Sequence, residues 1–299
     1  MTYRLSSRDP AETRTNNSET ESPKIKIFFV FEGAKTEPIY FDSFIDKYSE
    51  NTIGEFIILD RLDHSLSNQK SVTIQIEHFL NTCETLDDSN IKKINETIDY
   101  LKSTSLTQVN FQELRSDLET HGLTEDALNL IFKTYPNNNM LHLAVMETLV
   151  KLKGYQKNFD KVCIVIDRDT GSFTADQFDD VIKICSSNDF NLGLSNPCFE
   201  LFLYLHLDNL NSLDKVKILE NKRSRKNAPT FMEKSLKSYL KTQHNSIFNK
   251  NNFDANLFID NFSNISENIE QSQIKIDNLD LKTNIGTSVY NMLSSLLNE

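Results

Sequence analysis

The segment Lys24-Ile25-Lys26-Ile27-Phe28-Phe29-Val30-Phe31 constrains the fold more than any other stretch of the chain. It is almost continuous in β-branched and aromatic side chains, and it breaks off at Glu32-Gly33. A strand with one wet face alternates apolar and polar residues. A run without alternation is a strand covered on both faces, the pattern of parallel sheets. Lys161-Val162-Cys163-Ile164-Val165-Ile166 repeats the pattern and breaks off at Asp167. Parallel neighbours must be joined by crossover connections, usually helices. The two runs therefore predict an α/β fold with a mostly parallel sheet.

Helical signals fill the intervals. After Gly33, Thr36 and Pro38 predict a helix start, with Thr36 as N-cap and Pro38 in the first turn. Tyr40, Phe41, Phe44, Ile45 and Tyr48 follow at helical spacing. Glu55–Asp60 reads as a second strand. Residues 70–157 are helical throughout, with stripes such as Val72, Ile76, Phe79 and Leu80, then Leu141, Val145, Leu149 and Leu152. A helix over 174–186 with Thr174 as N-cap follows the second apolar run. Asn191–Leu194 is a short strand ending in Ser195-Asn196, and Pro197 opens a helix to about Leu207. The expected organisation is a disordered tail (1–23), a first core part (24–69), a helical insertion (70–157), a second core part (158–210) and a C-terminal helical region (211–299).

Composition narrows the class. The 299 residues carry 32 Lys and Arg against 43 Asp and Glu, a net charge of −11, and 38% are hydrophobic. That is enough for a real core and excludes wholesale disorder. No apolar run reaches the ~18 residues of a membrane span, and no hydrophobic leader precedes the first strand. The four cysteines (Cys83, Cys163, Cys185 and Cys198) form no CxxC pair, and the six histidines show no metal-binding spacing. Buried reduced thiols and a cytoplasmic protein are expected, without a zinc site. The acidic balance argues against nonspecific coating of nucleic acid, while leaving room for a local basic groove.

Chemistry concentrates where strands end. In parallel sheets, ligands bind just beyond the carboxyl ends of the strands. Glu32-Gly33-Ala34-Lys35-Thr36-Glu37 lies at the first such end, and Glu32 is placed to ligate a cation or act as a base beside a helix N-terminus. A solvated turn with dipole-favoured acids fits the same residues. At the second end, Asp167 and Asp169 stand at i and i+2, which on a strand point the same way, so both can converge on one hard cation while Arg168 points elsewhere. A polar loop after a core strand is the alternative. At the third end, Ser195 and Asn196 could orient water or phosphate, and Glu200 could ligate a cation. A Ser/Asn helix cap with Pro197 at the first helical position fits equally. Lys222-Arg223-Ser224-Arg225-Lys226 is the dense basic run of the chain, either a phosphate-backbone contact or a solvated loop. Cys198 reads as a buried thiol rather than a nucleophile.

Taken together these motifs resemble the RloB family. The resemblance rests on the strand followed by Glu-Gly-x-Lys-Thr-Glu-Pro-x-Tyr-Phe (Glu32 to Phe41), on the Asp-x-Asp end (Asp167, Asp169), and on Ser-Asn-Pro-Cys-Phe-Glu (Ser195 to Glu200) with the helix ending Leu205-His206. The closing segment Leu281 to Tyr290 is similar as well. The stretch 70–157 has no counterpart among these motifs, and Phe202 stands where the family often has Trp. The resemblance implies a Toprim-like Rossmannoid core and Mg²⁺- or Mn²⁺-dependent phosphodiester hydrolysis of DNA or RNA. It implies Glu32 as the first-motif acid, Asp167 and Asp169 as the metal-binding pair, and Gly33, Lys35, Thr36, Glu37, Ser195, Asn196 and Glu200 as further site residues. It also implies a place in restriction-linked anti-phage defence and abortive infection, often beside an ATPase partner, with assembly into oligomers open. Two other readings compete. One is a non-catalytic sensor or effector-binding module built on the same core. The other is a phosphatase of the haloacid-dehalogenase type, because Val165-Ile166-Asp167-Arg168-Asp169-Thr170 is similar to its nucleophile motif.

Overall fold

The computed structural model of the protein describes residues 24–49, 54–59, 69–133 and 139–297. The expected tail over 1–23 lies outside the described residues. Five strands form one sheet: β1 (Ile25–Phe31), β2 (Gly54–Leu59), β3 (Lys161–Asp167), β4 (Asn191–Asn196) and β5 (Gly286–Thr287). Their order is β2-β1-β3-β4-β5. The first four pair in parallel, and β5 joins β4 antiparallel, Ser195 opposite Thr287 and Asn196 opposite Gly286. The α/β reading with a mostly parallel sheet is therefore correct. The two-residue β5 carries no periodic pattern, and it lies in a region expected to be wholly helical.

Alternation within the apolar runs builds two cores. Phe28, Val162, Ile164 and Ile166 face one layer, while Ile27, Phe29, Phe31, Cys163 and Val165 face the other. The first layer consists of α2 (Gln69–Cys83), α3 (Asp88–Ser103), α4 (Phe111–Thr120), α5 (Glu125–Phe132), α6 (Asn139–Lys151) and α7 (Ala175–Asn188). The second holds α1 (Thr36–Tyr48), α8 (Phe199–Leu205), α9 (Lys215–Glu220), α10 (Phe231–Gln243), α11 (Asn256–Ile259), α12 (Ile265–Ser272) and α13 (Val289–Leu297). Each fully buried phenylalanine, such as Phe28 or Phe29, contributes roughly 1.5–3 kcal/mol of transfer free energy. Helices α2–α6 thus share a continuous core with the sheet and α7.

Local rules explain some helix starts and fail at others. Thr174 caps α7 in a capping box with Gln177, as the sequence predicts. Thr36 does not cap α1. It is the first helical residue, the cap position belongs to Lys35, and the Thr36 hydroxyl instead donates to the Lys250 carbonyl at 3.2 Å. Pro197 does not open α8 either. It precedes the Cys198 cap and follows a cis peptide bond from Asn196. All four cysteines are free thiols. Among the described residues no helix is long and apolar enough to cross a membrane.

Candidate active site

The chain leaves β1 through α1 on one face of the sheet and leaves β3 through α7 on the other. The carboxyl ends of β1 and β3, which are neighbours, therefore mark a topological switch point, where the two departing helices diverge and leave a crevice. A cleft of about 530 Å³ opens there, walled by residues 32–37, Asp167, Ser172, Glu200, Lys250 and Asn251.

Glu32 and Asp167 meet across this point. The Glu32 amide donates to the Val165 carbonyl at 3.0 Å, which continues the sheet one residue past β1. One Glu32 carboxylate oxygen accepts from the Asp167 amide (3.1 Å) and the other from the Gln69 side-chain amide (3.0 Å). Glu37, in the first turn of α1, is buried and folds back over Gly33. A Cβ on Gly33 would lie 1.9 Å from a Glu37 carboxylate oxygen, so glycine is what lets the two approach. Glu200, in the first turn of α8, is only 2% exposed and pairs with Lys250 at 2.5 Å.

The electrostatics follow from this crowding. Burial, then the charges of Glu32, Glu37 and Glu200, hold the Asp167 carboxyl well above the usual carboxylate range, with Lys250 acting in the opposite sense. Burial would depress the Lys250 ammonium, but the charge and hydrogen bond of Glu200 outweigh it and raise its pKa. The Cys198 thiol is pushed up by burial and by Glu200 and Asp167, so it stays protonated and is no nucleophile.

Other expected site residues fall elsewhere. Strand β3 stops at Asp167, so the i, i+2 rule that would align Asp169 with it no longer applies. Asp169 is exposed, and its carboxylate accepts from the Gly171 amide (2.9 Å) and the Ser172 hydroxyl (3.1 Å). Arg168 does point away from the cleft. It is buried, donates to the carbonyls of Phe173 and Lys282, and lies over the rings of Phe173 and Phe178. Ser195 and Asn196 are buried structural groups rather than helix caps: the Ser195 hydroxyl meets that of Thr287 at 2.9 Å, and the Asn196 amide donates to the Leu281 carbonyl at 2.8 Å. Lys35 lines the cleft from an exposed position. Lys222, Arg223, Arg225 and Lys226 form an exposed loop outside the cleft wall. That loop springs from Asn221, whose amide donates to the Cys198 sulfur at 3.2 Å, so its base sits beside the Glu200 end of the cleft.

The donor set is chemically suited to a hard cation: carboxylate oxygens in excess of local positive charge. Among the described residues, however, no three His, Cys, Asp or Glu side chains are already disposed as a ligand cage.

The family model for RloB-like protein matches residues 27–296. The chain belongs to the RloB-like family. The match runs from β1 to α13 and so takes in every residue of the cleft. Neither a curated protein nor a solved structure matches the chain at a significant level.

Three groups of this RloB-like cleft carry no sequence signal. Gln69 is fully buried at the start of α2 and reaches Glu32 across 37 positions of chain. Lys250 and Asn251 sit in an Asn-rich connection far from any motif. Only their arrival at the switch point reveals them.

Proposed function

We propose that this chain is a divalent-metal-dependent nuclease of Toprim-like type, hydrolysing phosphodiester bonds of nucleic acid in anti-phage defence beside an ATPase partner. The observation that carries the reading is the meeting of Glu32 and Asp167 at the switch point, with Glu37 and Glu200 from two helix N-termini turned on the same cleft. Phosphodiester hydrolysis needs charge neutralisation at the transferring phosphoryl group and an activated water. A Mg²⁺ or Mn²⁺ ion held by Glu32, Asp167 and Glu200 would supply both when bound.

The chain's own groups define the rest. Glu32 lines the cleft with its carboxylate fixed by two donors, the preorganisation that suits a base taking a proton from water. Asp167 holds its proton at a pH where an ordinary carboxyl has lost it, and surrenders it when positive charge enters. The loop of Lys222, Arg223, Arg225 and Lys226, rooted beside Glu200, offers cations to the phosphate backbone that the acidic cleft itself repels.

One observation favours the non-catalytic alternative: Asp169 spends its carboxylate on its own loop rather than on the cleft. The two readings separate in one assay. Purified protein is incubated with supercoiled plasmid, single-stranded DNA and tRNA in Mg²⁺, Mn²⁺ or EDTA, beside Glu32→Gln. Cutting that needs metal and drops at least about a hundredfold in Glu32→Gln is expected. Cutting that persists in EDTA, or is unchanged in the variant, would overturn the nuclease reading.

A further inference from the structure

Lys250 is delivered to the cleft by a built device rather than by a loose surface loop. Phe248 and Phe253 are both buried, and their rings pack at 5.1 Å, closing the segment between them into a clip. Inside the clip, the Asn251 amide donates to the Asn249 side chain (3.0 Å) and the Asn252 amide to the Asn249 carbonyl (2.9 Å). The Thr36 hydroxyl, at the first turn of α1, fixes the Lys250 carbonyl. The backbone of Lys250 is thus tied to the helix that carries Glu37. Its side chain spans to Glu200, on the opposite wall, at 2.5 Å.

A half-exposed lysine with access to water ordinarily gains little from one carboxylate. Here the carboxylate is 2% exposed and would otherwise be a buried charge among other acids. We infer that Lys250 is the cleft's resident counter-ion, which occupies Glu200 in the metal-free protein and must yield it before a divalent cation is held there. The inference rests on the cation-binding reading above and adds to it a competitor encoded in the chain. Glu200 would hold a divalent cation only once Lys250 has let it go, and the freed ammonium, kept at the cleft by its clip, would then be available to an anionic substrate.

The test is Mn²⁺ binding followed by thermal shift, without any cleavage readout, on wild type, Lys250→Met, Lys250→Arg and Lys35→Met. Lys35→Met removes the same charge from the same cleft without touching Glu200. Melting in EDTA checks that each variant folds. The expected result is a Mn²⁺ midpoint about tenfold lower in Lys250→Met, within the ordinary range of coupling between sites. Lys35→Met should move it less than about twofold, as screened surface charge does, and Lys250→Arg should stay near wild type. Equal shifts in the two Met variants would reduce Lys250 to general electrostatics and overturn the inference while leaving the metal reading intact. Absence of Mn²⁺ binding in wild type and in Lys250→Met would overturn both.

Discussion

His206 ends helix α8 inside the second core, fully buried, where its imidazole bonds to the helix that forms another wall of the cleft. Its Nδ1 lies 3.0 Å from the Phe202 carbonyl, so that nitrogen carries the hydrogen, and Nε2 accepts from the Tyr40 hydroxyl at 2.9 Å. Tyr40 lies one turn beyond Glu37 on α1, and His206 closes the helix that begins beside Glu200. The contact therefore ties together the helices that carry two cleft acids. Burial pushes the imidazole down to about 3, against smaller opposing effects of the Phe202 and Leu203 carbonyls. A depressed folded value means that the unfolded chain takes up a proton that the native state refuses. The stabilisation is complete above the ordinary histidine value and is lost as pH falls toward the folded one. Each pH unit below about 6.5 removes about 1.4 kcal/mol, so at pH 5 the His206 contribution is smaller by roughly 2 kcal/mol. The perturbation is His206→Gln, which keeps a carbonyl oxygen for the Tyr40 hydroxyl and removes the titration. Urea unfolding at pH 7 and pH 5 supplies the measurement. Wild type should lose about 2 kcal/mol more than the variant between the two pH values, since other titrations cancel in the difference. Parallel losses, or a His206 imidazole resonance that titrates near 6.5 by NMR, would refute the reasoning.

The cleft acids give two further predictions. Asp167 has a folded pKa above its unfolded one, so its contribution is present below the ordinary carboxylate range and is lost as pH rises through the folded value. In EDTA, the melting temperature of wild type should fall over that rise and that of Asp167→Asn should not; superimposable pH profiles would contradict this. Gly33→Ala places a methyl on the Glu37 carboxylate, the movable end of a side chain, so folding stability should change by less than about 1 kcal/mol while Mn²⁺ affinity falls. Calorimetric titration of Mn²⁺ into the variant checks it, and unaltered affinity would show that Glu37 lies outside the cation site.

What the sequence revealed and what it hid divide along one physical line. Strands β1 and β3 were legible because covering both faces forces an unbroken apolar run, and the acid at each end marks where the sheet meets water. The helix α7 was legible because its cap is local: Thr174 and Gln177 are three residues apart. Glu32, Asp167 and Glu200 inherit that legibility, being tied to strand ends and a helix start. Asp169 was misplaced because the strand's two-residue period was carried one step past its end, and β3 gives way to a turn at Arg168. Thr36 misled because a distant carbonyl, that of Lys250, outcompeted the local cap. Lys250 and Gln69 were invisible because their roles depend on long-range placement, which no local period encodes.

The last part of the sheet to be synthesised is also its brace. Residues 275–288 supply the Lys282 carbonyl to Arg168, the Leu281 carbonyl to Asn196, the Thr287 hydroxyl to Ser195 and the Ser288 hydroxyl to the Leu194 amide. Gly286 permits this closure, since any side chain there would strike the Lys275 carbonyl. A nascent chain on the ribosome therefore carries Glu32, Asp167 and Glu200 long before β3 and β4 have the partners that hold their ends in place. Synthesis thus separates the acids, made early, from the segment that braces the neighbouring strand ends, made last.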